Sequence, residues 1–272
     1  MKTSASIKMM KTIASAIGTF VLWSAIAQTN TIYLDDFTGS GGPLNGTIPD
    51  ISATGASWVA GDLFYDNGYA ATLVAGSANG QAAWLPLTVY NGRIYTATAT
   101  FINNQPNWLA FGFLSQYPNN NPATPWTASS WETRHSNSGY LWALNRNNAS
   151  QPDQQGFVGY RTSNPAFSGD LIDPTGYITV KIVLNTMVES AWTGEIWLNN
   201  VLQWSGSAEA VKPGVSGWPG IGGIGFSHER NATANDGAWI THFALTEVPE
   251  PGVLALIALG CLVTLGSLRR HN

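Results

Sequence analysis

An all-β fold, two antiparallel sheets packed face to face, is what the middle of this 272-residue chain predicts. Three observations predict it. Ile178–Leu184 alternates, with Ile178, Val180, Ile182 and Leu184 on one face and Thr179 and Lys181 on the other, the period-two pattern of a half-buried antiparallel strand. Between residues 28 and 247 no segment sustains an apolar pattern at helical period. The 29 glycines and 14 prolines fall mostly between the apolar runs, as turn punctuation. A propeller would show self-similar repeats of roughly 40–50 residues, and the sequence has none.

The elements follow in order. Tyr33–Phe37 and Leu44–Asp50 open the series. Ile94–Ile102 is rich in β-branched and aromatic residues and has no breaker; Trp108–Leu114, Tyr140–Leu144 and Phe157–Tyr160 come next. After Ile178–Leu184, the runs Glu195–Leu198 and Val201–Trp204 flank Asn199-Asn200, a two-residue turn of the kind that tolerates positive φ. Ile221–Phe226 and Trp239–Leu245 close the series, about twelve strands in all by this pattern. In the last of them Trp239, Phe243 and Leu245 share a face and His242 lies on the other. Of the strand tryptophans Trp142, Trp197 and Trp239, at least half are expected in the core, because a sandwich buries large rings between its sheets.

Both ends stand apart from this domain. Lys2, Lys8 and Lys11 precede the apolar stretch 12–27, and Ala25-Ile26-Ala27 supplies the small-x-small pattern of a signal-peptidase site, so residues 1–27 read as a signal peptide. Cleavage there leaves Gln28 first. At the other end, Pro249-Glu250-Pro251 is followed by an uncharged apolar run, 252–268, and then by Arg269 and Arg270. Such a run would span about 25 Å as a helix, with the arginines on the cytoplasmic side. A transmembrane helix over 252–268 is therefore expected to flank the sandwich, as a signal helix does at the start. Residues 28–247 are left as the β-sandwich domain and 248–272 as a tail.

Charge narrows the partners. Five of the 12 Lys and Arg residues and one of the 16 carboxylates, Glu250, lie in the two ends, leaving seven against 15 in residues 28–247, a formal charge of −8. Phosphate binding needs clustered Lys and Arg, so nucleic acid and anionic lipid surfaces are poor partners. The sole cysteine, Cys261, is in the tail, so the domain has no thiol for a disulfide, a thiolate metal site or a nucleophile. A domain of about 220 residues buries roughly 70% of its unfolded surface and needs no such staple.

The order of parts at residues 248–270 resembles the PEP-CTERM sorting tail of exported bacterial proteins. That resemblance implies an exosortase-type processing enzyme as a partner beside signal peptidase. It also implies transient anchoring in the inner membrane, then residence at the cell surface or in the extracellular matrix of a Gram-negative, exopolysaccharide-producing bacterium. The strand series from Tyr33 to Leu245, with its strand–hairpin unit around Asn199-Asn200, resembles the concanavalin A-like or laminin G-like jelly roll. That superfamily holds glycoside hydrolases, lectins and adhesive modules, and fold does not choose among them.

Catalytic signals are missing from the sequence. Retaining glycosidases need two carboxylates about 5–5.5 Å apart. The sandwich-fold glucanases carry a Glu-x-Asp-x-(x)-Glu strand for this, and no such strand is present. Neither a Gly-x-Ser-x-Gly elbow nor His-Glu-x-x-His occurs, and His135, His228 and His242 are isolated. The expectation is a non-enzymatic protein without a cofactor. Asp35, Asp36, Asn231, Asn235 and Asp236 offer the oxygen donors a Ca²⁺ ion prefers, near first and last strands expected to be neighbours, although turn formation explains them as well.

The strongest binding signal is the polar stretch 115–137, long for a loop between strands. It carries Trp126, Trp131, Glu132 and Arg134, an aromatic surface beside hydrogen-bonding groups, which is what a sugar ring requires. The alternative, a loop folded back over a sheet with both tryptophans capping the core, carries the greater weight. Exopolysaccharide binding is the expected activity, with a purely structural biofilm-matrix protein and a divergent glycan-processing enzyme as the alternatives.

Overall fold

Sixteen strands in two antiparallel sheets make up the described part of the chain. The structure, a computed structural model, describes residues 28–39, 41–61, 64–68, 71–73, 81–103, 108–115, 139–146, 156–158, 176–209, 220–228 and 238–249. In chain order the strands are β1 (Asn30–Asp35), β2 (Gly42–Pro43), β3 (Ile51–Ser52), β4 (Val59–Ala60), β5 (Phe64–Asp66), β6 (Ala71–Leu73), β7 (Gln81–Pro86) and β8 (Arg93–Asn103). Then come β9 (Trp108–Ser115), β10 (Gly139–Arg146), β11 (Gly156–Val158), β12 (Ile178–Asn185), β13 (Thr193–Leu198), β14 (Val201–Ser207), β15 (Ile221–His228) and β16 (Ala238–Pro249). The expected signal helix over 1–27 and transmembrane helix over 252–268 lie outside the described residues. Among those described, no helix is long and apolar enough to cross a membrane.

The ten-stranded sheet runs β14-β13-β12-β8-β16-β6-β5-β2, with β1 joining β16 to β3. The six-stranded sheet runs β11-β10-β9-β15-β7-β4. The first and last strands are neighbours, as expected: Asn30 pairs with Glu247 and Asp35 with Phe243. The hairpin β13–β14 turns on Asn199 and Asn200 with φ of 47° and 64°, the left-handed conformation that asparagine tolerates and a two-residue hairpin needs. Its geometry is secured by the Asn199 side chain, which accepts the Thr179 amide at 2.9 Å.

Alternation decides which side chains meet. Ile178, Val180, Ile182 and Leu184 on β12 and Tyr95, Ala97, Ala99 and Phe101 on β8 are buried, and the residues between them are half-buried on the other face. From the six-stranded sheet Ala83, Leu85, Phe111, Phe113, Ile224 and Phe226 join the same core. Its centre is aromatic. Trp58 lies 5.3 Å from Phe226 and 5.0 Å from Phe243, centroid to centroid, and Phe37 and Phe64 also pack on Phe226. Each such buried ring contributes about 1.5–3 kcal/mol by leaving water, with edge-to-face geometry adding to that.

The tryptophans are placed differently from the expectation. Trp197 faces away from the core, because Ile196 and Leu198 take the inward positions of β13. Its ring lies under the Lys181 ammonium at 4.0 Å, and its indole N–H donates to Glu195. Trp239 is half-buried, and the Trp142 side chain is outside the described residues. Among the described residues the buried tryptophans are Trp58 and Trp192, outside the strands, and Trp84 in β7. Trp84 belongs to a small second cluster with Ala82 and Leu114, on the face of the six-stranded sheet that points away from the main core. Glycine makes room for it: a Cβ on Gly223 would meet the Trp84 ring, and one on Gly225 would overlap the Ala83 carbonyl oxygen.

Candidate functional site

Between the ends of the two sheets lies a cleft of about 800 Å³. One wall is the start of β8, where Tyr90-Asn91-Gly92 turns into the strand; Gly92 has φ of 75°, which only glycine adopts without strain. That turn is tied down from several sides. The Tyr90 amide donates to the Tyr95 hydroxyl at 2.9 Å, and the Trp192 indole donates to Asn91 at 3.0 Å. Thr186, fully buried, accepts the Arg93 amide with its hydroxyl and returns its own amide to the Arg93 carbonyl at 2.8 Å. On this fixed base the Tyr90 ring stands 57% exposed.

Arg93 folds over one face of that ring. Its guanidinium carbon is 5.4 Å from the Tyr90 ring centre, and its Nη1 donates to Glu247 Oε1 at 2.5 Å. Glu247 comes from the far end of β16, the strand beside β8 in the sheet. Hydrogen bonding to Glu247 raises the Arg93 pKa and keeps the guanidinium charged. The opposite wall is Tyr33 on β1, whose hydroxyl donates to the Pro86 carbonyl at 2.7 Å and lies 2.8 Å from the Thr54 hydroxyl. Burial raises the Tyr33 pKa, so this phenol stays protonated as a donor. Leu87 and Ile221 form an apolar floor. The cleft thus combines an exposed aromatic ring and a fixed cation–carboxylate pair against a closed Tyr33 wall, in a volume typical of ligand pockets.

A second hollow, about 200 Å³, holds Asp35, Asp50 and Asp66 among Gly39, Gly41 and Gly42. Burial, with the nearby Asp50 and Asp66 charges as smaller contributions, pushes the Asp35 pKa up to about 6 against two hydrogen bonds that lower it. Those bonds come from the Phe37 amide to Oδ1 (2.8 Å) and the Trp58 indole to Oδ2 (2.6 Å). Asp50 accepts the Asp36 amide and Asp66 the Gly68 amide. Asp36 meets His242 Nδ1 at 2.6 Å, so that histidine is satisfied across the β1–β16 pair. Of the expected calcium donors, Asp35 and Asp36 are therefore occupied with protein partners, and Asn231, Asn235 and Asp236 lie outside the described residues. Among the described residues, no group of three or more His, Cys, Asp and Glu is placed to hold a metal ion.

Trp126, Trp131, Glu132 and Arg134 also lie outside the described residues, as do Glu250, Pro251, Arg269 and Arg270 of the tail and Ala25 and Ala27 of the leader. Pro249 is the last residue of β16. The cleft residues were not singled out from the sequence, because they come from segments scattered between Tyr33 and Glu247. The one local signal is Tyr90-Asn-Gly-Arg93, an Asn-Gly turn that carries an aromatic and a cation into a strong strand.

No protein-family model matches the chain, and no curated protein matches it. Solved structures do. The chain is similar to β-agarase A in complex with oligoagarose, at 11% identity and a TM-score of 0.50, over 81% of this chain and 94% of that one. The potassium-bound carbohydrate recognition domain of Emp46p matches at 15% identity and a TM-score of 0.48, over 72% of this chain and 89% of that domain. Winged bean acidic lectin with methyl-α-D-galactose matches at 11% and 0.45, over 81% and 99%. The likeness to β-agarase A is one of fold: a jelly-roll sandwich of two antiparallel sheets.

Proposed function

We propose that this chain is an exported, non-enzymatic carbohydrate-binding protein of the cell surface or extracellular matrix. The observation that carries the proposal is the cleft, where an exposed Tyr90 ring stands with the fixed Arg93–Glu247 pair. A pyranose has an apolar C–H face and a polar rim, and this lining offers a partner to each. The fold shared with β-agarase A, a protein bound to oligoagarose, agrees with a glycan ligand. Residues Trp126, Trp131, Glu132 and Arg134 are proposed as a further contact to the same polymer.

The sequence of the two ends supports export, with signal peptidase acting after Ala27 and an exosortase-type enzyme at the Pro249-Glu250-Pro251 tail. A divergent glycan-processing enzyme is the second reading, favoured by the raised pKa of Asp35 near Asp50 and Asp66. Against it, both Asp35 oxygens are engaged by Phe37 and Trp58, which suits a structural carboxylate. Affinity electrophoresis of the full-length chain through glycan-loaded gels tests the proposal. Retardation by a polymer that comes through unhydrolysed supports it; turnover of the polymer favours the enzyme, and free migration in every gel favours a purely structural matrix protein.

A further inference from the structure

The cleft also indicates which glycans it takes, an inference that rests on the carbohydrate-binding reading above. We propose that it is a subsite for a neutral sugar residue, which lays its C–H face on the side of the Tyr90 ring that Arg93 leaves open and gives hydroxyls at its rim to the Arg93–Glu247 pair. The pair presents a donor and an acceptor side by side: guanidinium N–H groups reach a hydroxyl oxygen, and the carboxylate accepts a hydroxyl proton. Two neighbouring hydroxyls on a ring, each both donor and acceptor, suit such a couple. A lone arginine would instead suit a carboxylate or sulfate, by two parallel hydrogen bonds.

Compensation of charge excludes the anionic sugar. Glu247 sits against Arg93 on β16, so a uronate entering the cleft meets a cation whose charge is already balanced and a carboxylate that repels it. Among the described residues, the rest of the lining brings no second cation. The domain as a whole, with seven basic residues against 15 acidic ones, adds long-range repulsion for polyanions. The walls are set before any ligand arrives, since the Tyr90–Arg93 turn is held by Tyr95, Thr186 and Trp192.

The test is isothermal titration of the full-length chain with two probes of matched length, oligoagarose as the neutral one and oligoguluronate as the anionic one. Wild type is expected to bind the neutral probe and not the uronate. Tyr90→Ala, a change at an exposed position that leaves the fold intact by circular dichroism, is expected to weaken neutral binding at least tenfold. Glu247→Gln leaves Arg93 uncompensated, and is expected to lose neutral affinity and gain measurable uronate binding. Uronate binding by wild type equal to or tighter than neutral binding overturns the inference while leaving a glycan-binding protein. Neutral binding unchanged in both variants overturns it too, by placing the site elsewhere. If neither probe nor any glycan-loaded gel engages wild type, the carbohydrate-binding reading itself fails.

Discussion

Asp35 makes the fold sensitive to pH in an unusual direction. Its side chain is buried beside Trp58, and its pKa is near 6 against an ordinary 3.8. Below 3.8 the group is protonated whether the chain is folded or not. Between 3.8 and 6 the folded state holds a proton that the unfolded state has released, so stability falls as pH rises through this window. Above about 6 the ionised, buried carboxylate exerts its full penalty. At about 1.36 kcal/mol per pH unit the gap is worth at most ~3 kcal/mol, and solvent reaching the hollow through Asp50 and Asp66 reduces it to about 1–2. Asp35→Asn removes the titration and keeps a carbonyl oxygen to accept one of the two hydrogen bonds. Urea unfolding of both proteins, followed by tryptophan fluorescence at pH 4, 5, 6 and 7, isolates the effect from the other carboxylates. The expected result is a wild type that loses about 1–2 kcal/mol relative to the variant between pH 4 and pH 7. A difference independent of pH, or one of opposite sign, would refute the assignment of Asp35 as a buried, proton-holding group.

Other predictions follow from the packing. Trp58→Phe removes the indole donor from Asp35 and part of the contact with Phe226 and Phe243, and should cost about 2–4 kcal/mol in chemical denaturation. Gly225→Ala forces a methyl into the β7–β15 pair against the Ala83 carbonyl and should cost about 1–3 kcal/mol, read as a lowered midpoint. Asn200→Ala places a Cβ-branch-free but non-asparagine residue at φ of 64°, at a cost of about 1 kcal/mol, whereas Asn200→Gly should leave stability unchanged or raise it. For the ends, mass spectrometry of the exported protein should find Gln28 as the first residue, and replacing Pro249, Glu250 and Pro251 by alanine should leave the tail attached; the native tail surviving intact would contradict the sorting reading.

The long strands were legible because their two faces differ. Ile178–Leu184 is β12 short of one residue, and Ile94–Ile102 lacks only Arg93 and Asn103 of β8. Gln81–Pro86 was not legible: two alanines, a glutamine and a terminal proline carry little strand preference. Pairing with β15 and burial of Trp84 on one face and Leu85 on the other make it a strand. The two- and three-residue strands β2 to β6 are too short to show a period. Tryptophan misled in a related way, since Trp197 looks like core by composition while its neighbours Ile196 and Leu198 hold the inward positions. The cleft escaped the sequence altogether because pairing of β1 with β16, not spacing, brings Tyr33 and Glu247 to one end of the sandwich.

Chemical-shift mapping of the isotope-labelled full-length chain, titrated with a glycan that retards it, tests the central claim most directly. Shifts of the Arg93 side-chain N–H and of the Tyr90, Gly220 and Gly222 amides, saturating together, are the expected result. Shifts confined to residues 115–137, or spread over the outer sheet faces with the cleft signals unmoved, would contradict it.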